Sequence, residues 1–363
     1  MRRFWVSFIE PALRLLKPQV IVEVGAESGI NTKRILEYCE AEGARCHIID
    51  PTGIANMAEL SERIAKYGAF HKLRSLQVLS QVSDADVYLL DGDHNWYTVY
   101  HELGAIREAC QAANRKRLPV IIFHDILWPY GRRDLYYCPE DVPAEFRQPY
   151  ERAGVIPGQS QLAPFGGYNA ELHNAVQEGG PRNGVLTAIE DFVAEASEHY
   201  EFMIVPGFHG LGLLLPRAGL QAATRKAVAA LFEVPAHLRS HLEAVEADRM
   251  VLSTTSADAG AWATQLQQEL TKTQATLVAT SQAANEAAQQ AALEKQRLVE
   301  AHQQQVSQLE HRLELIVQSH SYRALQQGKR LLDRVVPKGS KREHAAMTVL
   351  NRWLPSRTGS QAQ

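Results

Sequence analysis

The stretch Val20-Ile21-Val22-Glu23-Val24-Gly25-Ala26-Glu27-Ser28-Gly29 is an apolar strand that breaks into a glycine turn and runs on into a helix beginning near Asn31. Branched residues interrupted by a single carboxylate suit a strand buried on both faces, as in a parallel sheet. Glycine where the strand stops lets a ligand approach the backbone, and the following helix offers unpaired N–H groups. Glu23 stands two residues before the first glycine, where a carboxylate can meet a ligand's ammonium group. The spacing lacks the glycines at first, third and sixth positions that a dinucleotide turn needs. By itself such a turn is equally compatible with an ordinary tight connection.

Working outward, the runs Cys46–Ile49, Val87–Leu90, Val120–Phe123, Phe202–Val205 and Leu211–Leu215 also read as buried strands, with Leu76–Leu79 a weaker one. Amphipathic stretches lie between most of them. This alternation predicts an α/β fold, a doubly wound and mostly parallel sheet covered by helices on both faces. Residues 126–184, rich in Pro, Gly, Tyr and Arg, interrupt the rhythm and read as a functional lid or a disordered loop. Residues 218–249 read as one or two helices closing a domain that spans 1–250.

Polar groups gather where three strands stop. Asp50 closes the second strand, about twenty-five residues after Gly25, where a carboxylate can accept hydrogen bonds from ribose hydroxyls. A later strand ends Leu90-Asp91-Gly92-Asp93-His94, and the next ends Phe123-His124-Asp125. In a parallel sheet these ends face one crevice, so Asp91, Asp93, His94, His124 and Asp125 should converge there. Hard oxygen ligands from Asp91 and Asp125, with His124 as a third, suit magnesium or manganese. His94 is then a general base, although aspartates that cap helices and a surface histidine would read the same way.

At these residues the sequence resembles the class I S-adenosylmethionine-dependent methyltransferases, with Glu27 in place of the usual middle glycine. The resemblance implies that Glu23, Gly25, Ser28, Gly29 and Asp50 bind S-adenosylmethionine. The Asp91-Gly92-Asp93-His94 ending resembles metal-dependent sugar O-methyltransferases, with His124 where a carboxylate is common. That implies methyl transfer to a hydroxyl of a sugar or cell-surface glycan. A small-molecule O-methyltransferase and a catalytically silent scaffold for glycan assembly remain open as alternatives. In the insertion, Tyr130, Arg132 and Arg133, with Arg182 further on, are substrate candidates, since aromatics beside arginines can stack on a sugar ring and bind phosphate or carboxylate. They serve equally well as packing.

The remainder is a different kind of sequence. Ser253–Gly260 reads as a polar linker, and residues 261–327 contain neither glycine nor proline. Leu266, Leu270, Thr273, Leu277, Thr280, Ala284, Ala287 and Ala291 keep a 4-3 spacing, which Leu298, Val306, Leu309, Leu313 and Ile316 rejoin after a slip. A coiled coil over 261–319 and a homo-oligomer are expected, with a solvated single helix as the other reading. Residues 320–363 form a basic amphipathic tail in which nine Lys and Arg face two acidic residues, among Tyr322, Trp353 and spaced leucines. It suits an anionic membrane surface or a solvated tail.

Across 363 residues, 38 Lys and Arg against 41 Asp and Glu give no global attraction to nucleic acid. The four cysteines form no CxxC pair, and the apolar run from Phe4 to Ile9 is cut by Glu10 and Pro11. Neither a zinc ribbon nor a signal peptide is expected, and the reading is cytoplasmic, at most peripheral at the inner face of the membrane.

Overall fold

The computed structural model describes residues 1–196, 199–284, 298–311 and 338–353, with isolated positions between 315 and 336. Two compact units divide the chain, residues 1–247 and 248–363.

The first unit is built on a seven-stranded sheet. Its strands are β1 (Val20–Val24), β2 (Arg45–Ile49), β3 (Gly68–His71), β4 (Val87–Leu90), β5 (Val120–His124), β9 (Tyr200–Val205) and β10 (Leu211–Pro216), in the order β3-β2-β1-β4-β5-β10-β9. The first five are mutually parallel, and β10 runs antiparallel to both β5 and β9. Both faces are covered, which explains why the central strands read as continuous apolar runs. On one face Ile21, Val87, Leu89 and Ile122 join a core with α1 (Glu10–Leu16), α2 (Ile30–Glu42), α3 (Met57–Tyr67) and α7 (Ala222–Phe232). On the other, Val22, Tyr88, Leu90 and Phe123 pack with α4 (Ser75–Val78), α5 (Trp96–Ala112) and α6 (Val185–Glu195). Each fully buried aliphatic side chain contributes about 1.5–3 kcal/mol, so this two-sided core dominates the stability.

One expectation needs correction here. Leu76–Leu79 is helical, within α4 and the 3-10 turn that follows it, and the strand of that region is instead β3. Gly-Ala-Phe-His is short and half-buried at the sheet edge, so it carries no apolar run to betray it. Residues 126–184 contain their own antiparallel sheet, β6 (Leu135–Tyr136), β8 (His173–Ala175) and β7 (Tyr150–Arg152), in that order.

The linker expected at Ser253–Gly260 is also absent, because α8 runs without interruption from Ala236 to Ala284. The two threonines of this stretch bond within the helix: Thr254 donates to the Met250 carbonyl at 2.9 Å and Thr255 to Val251 at 2.8 Å. With no proline to break it, a polar stretch stays helical. Residues 298–311 are also helical, while Ala287, Ala291 and most of 312–337 and 354–363 lie outside the described residues. A last helix, Lys341–Trp353, opens with Ser340 accepting from the Glu343 amide at 3.2 Å while Glu343 accepts from the Gly339 amide, a variant of the capping box. Among the described residues, no helix is long and apolar enough to cross a membrane.

Candidate functional site

Strand order reverses between β1 and β4, and the crevice beyond their carboxyl ends is where such sheets bind ligands. The turn after β1 occupies that position. Gly25 (φ +87°) and Gly29 (φ +72°) are left-handed, and Glu27, at the place of a middle glycine, takes the same conformation at φ +43°. A Cβ on Gly25 would lie 2.2 Å from the Asp91 carbonyl oxygen, so the turn packs backbone against backbone on the end of β4. Ser28 lies exposed on this turn.

The carboxylates expected to meet a cofactor have other partners. Glu23 is buried and accepts from Asn31 Nδ2 at 3.0 Å and Thr32 Oγ1 at 2.6 Å, which ties β1 to the first turn of α2. Burial outweighs those bonds and pushes its pKa up to about 7. Asp50 Oδ2 accepts from the amides of Ala26 and Glu27, and Oδ1 from the Thr52 amide, the Thr52 hydroxyl and the Gly53 amide. Five donors converge on one carboxylate, so Asp50 clamps the glycine turn from the end of β2.

At the ends of β4 and β5, four of the five expected groups do meet. His94 Nε2 lies 2.7 Å from Asp125 Oδ2 and 3.9 Å from Asp91 Oδ1. His124 Nδ1 lies 3.2 Å from Asp91 Oδ1 and 3.3 Å from Asp125 Oδ2. Asp91 Oδ2 also accepts from the Met1 ammonium at 2.9 Å, and Phe4 sets its ring edge-on to His124, centroids 5.7 Å apart. Asp93 is the exception: it turns into α5, accepting from the His94 amide and from Thr98 Oγ1 at 2.9 Å. The Thr98 hydroxyl, in the first turn of α5, claims it.

Opposite charges in a half-buried crevice govern the electrostatics. Burial lowers the His124 pKa, but Asp91 and Asp125 outweigh it and push the value up to about 9. Burial likewise works against His94, yet the bond to Asp125 and the surrounding carboxylates raise it. Burial raises Asp125, and His124 and His94 overcome that to hold it well below the usual carboxylate range. Asp91, His124 and Asp125 each offer a ligand atom, all within 4.8 Å of one another. Two carboxylates and an imidazole at that separation fit a divalent cation.

The insertion reaches the same place, although mostly not through the residues expected. Asp134, fully buried, accepts from the Trp96 amide at 2.7 Å, the Gly184 amide at 2.6 Å and the Tyr136 hydroxyl at 2.7 Å. The Leu135 amide donates to the His94 carbonyl at 3.0 Å, pinning β6 beside the site. Tyr130 sets its ring 5.6 Å from that of His94. Arg133 is buried inside the insertion, donating to the carbonyls of Ala175 and Ser160, so it organises the fold rather than a substrate. Arg132 grips Glu190 through two bonds of 2.6 and 2.8 Å, and Arg182 lies over Trp96 and Phe146, 5.3 Å from each ring. Tyr137, with its hydroxyl 3.4 Å from His94 Nδ1, was not singled out from sequence. Only the strand partner of His94 could have revealed it.

No family model matches the sequence, and no curated protein matches it. Among solved structures, an SAH-bound methyltransferase of Podospora anserina is 13% identical, covering 58% of this chain and 76% of that one, with a TM-score of 0.34. The 1,6-didemethyltoxoflavin-N1-methyltransferase of Burkholderia thailandensis, with S-adenosylhomocysteine bound, is 17% identical over 59% of this chain and 80% of that one, TM-score 0.31. Human N-acetylserotonin methyltransferase in complex with SAM is 15% identical over 58% and 50%, TM-score 0.34. All three are methyltransferases.

Proposed function

We propose that this protein is an S-adenosylmethionine-dependent O-methyltransferase acting on a hydroxyl of a sugar or cell-surface glycan, assisted by a divalent metal. One observation carries the reading. The left-handed glycine turn after β1 packs directly against Asp91, so a ligand held by that turn lies beside His94, Asp125 and His124. The Gly25–Gly29 turn and Ser28 would hold the cofactor, which supplies an electrophilic methyl group when bound. Asp91, His124 and Asp125 would hold the metal, which would lower the pKa of an acceptor hydroxyl. His94 takes the acceptor's proton, and Asp125 orients the imidazole and balances the charge it gains.

Calorimetry with S-adenosylmethionine, followed by labelled-methyl transfer to a panel of sugars, glycans and phenolic small molecules, tests this reading. Binding and transfer to a carbohydrate support it. Transfer only to phenols would move the substrate class to small molecules, and failure of S-adenosylmethionine to bind would end the proposal.

We further propose that 261–319 assembles the chain into a homo-oligomer and that the basic tail engages anionic membrane. Truncation after about residue 250 should leave a monomer in light scattering and abolish co-sedimentation with anionic liposomes at low salt. Unchanged behaviour would refute both roles.

A further inference from the structure

Of the two ring nitrogens of His94, Nε2 is taken, 2.7 Å from Asp125 Oδ2. The nitrogen left to exchange a proton with an acceptor is therefore Nδ1, and what stands at Nδ1 is the hydroxyl of Tyr137, 3.4 Å away. The two rings meet nearly edge-on, centroids 6.0 Å apart and planes at 70°. The side chain of His94 is only 8% exposed whereas Tyr137 is 51% exposed, so the phenol lies between the imidazole and solvent.

Backbone geometry places it there. Leu135 bridges His94 across an antiparallel pair, and side chains along an extended strand alternate between faces. Tyr136 turns inward, its hydroxyl donating to Asp134 at 2.7 Å, and at the bend that follows β6 the Tyr137 ring lies against that of His94. The other tyrosine at this imidazole, Tyr130, is buried and its hydroxyl accepts from Asn169 Nδ2 at 2.6 Å. Tyr137 is held more loosely: its hydrogen bond with Nδ1 is long at 3.4 Å, and its ring is half in water.

We propose that Tyr137 is a positioning residue for the acceptor: its phenol keeps the place at His94 Nδ1 that the acceptor hydroxyl takes, and the acceptor enters by swinging that ring aside. The inference rests on the reading of His94 as the base. It adds that access to the base is set by one side chain of the insertion, so acceptors able to lie against a tyrosine ring are favoured.

Tyr137→Phe and Tyr137→Ala separate ring from hydroxyl in the full-length protein. Diethyl pyrocarbonate, with peptide mass spectrometry, reads how accessible His94 is. Removing the ring should raise the rate of modification at His94 by on the order of tenfold, while Tyr137→Phe should keep the wild-type rate. Nitrogen-15 spectra of labelled histidine should show the His94 Nδ1 resonance moving in Tyr137→Phe, a change that a packing role alone does not produce. Equal His94 reactivity in wild type and Tyr137→Ala, or an Nδ1 resonance unmoved in Tyr137→Phe, would overturn the proposal. Calorimetry with S-adenosylmethionine on all three proteins keeps the two readings apart: no binding to wild type counts against the methyltransferase, and unequal binding among the variants counts against a role confined to the acceptor.

Discussion

His94 Nε2 and Asp125 Oδ2 are 2.7 Å apart, and Asp125 reaches that position in the left-handed region, at φ +56°. A non-glycine residue held there just beyond β5 stores backbone strain, which persists only where the surroundings over-determine it. His94 and His124 supply that determination from two strand ends.

From this pair the first expectation follows. His94→Ala should slow methyl transfer by about 10²–10⁴-fold, the usual contribution of a general base, while S-adenosylmethionine binding by calorimetry stays unchanged. Asp125→Asn, which keeps the shape and loses the charge, should slow it by about 10–100-fold. Wild-type turnover in His94→Ala would remove the base from the mechanism.

The cluster of Asp91, His124 and Asp125 should bind manganese, measured by the loss of the free-ion electron paramagnetic resonance signal. Asp91→Ala should weaken that binding by about 10-fold or more. Excess chelator should stop turnover, with magnesium or manganese restoring it. Full activity in chelator, with no manganese bound, would exclude the metal.

Gly25 and Gly43 are both left-handed, at φ +87° and +68°, but a Cβ on Gly43 meets nothing within 4 Å. Gly43→Ala should therefore lose only the conformational cost, about 1 kcal/mol. Gly25→Ala drives a methyl into the Asp91 backbone and should cost several times more, ~3 kcal/mol or above, together with cofactor binding. Urea unfolding midpoints of the two variants settle the comparison, and similar losses would refute the packing account.

Glu102, on α5, is 2% exposed, one of its oxygens lacks a partner, and burial pushes its pKa up to about 8. Its folded pKa lies above the ordinary carboxyl value, so the folded state binds the extra proton. This group's stabilising contribution is complete in acid, below the unfolded pKa, and is lost as pH rises towards about 8. The slope approaches ~1.4 kcal/mol per pH unit within that window. Glu102→Gln should flatten the decline and raise the melting temperature at pH 8. A melting profile of the variant that still follows wild type would show that Glu102 does not titrate as described.

Much of the site was legible because its parts sit where strands stop. Asp91, His94, His124 and Asp125 could be named since two apolar runs ended in polar groups and parallel strands share one end. Asp50 and Arg133 show where that reasoning stops. Both are polar groups in a plausible place, but Asp50 is consumed by five nearby donors and Arg133 by two carbonyls. Side-chain type tells what a residue can bond, whereas a fold decides which partner reaches it first.

The α/β class, six of the seven strands of the main sheet and the glycine turn were readable from local patterns, because burial of both sheet faces forces long apolar runs and left-handed backbone favours glycine. The folded chain alone reveals that Ser253–Gly260 continues a helix, that β3 completes the sheet edge, and that residues 126–184 fold into their own sheet and lay Tyr137 on His94. The physical reason is the same in each case. Those outcomes depend on contacts between residues distant along the chain, such as the Leu135 amide on the His94 carbonyl, and a local pattern carries no record of a distant partner.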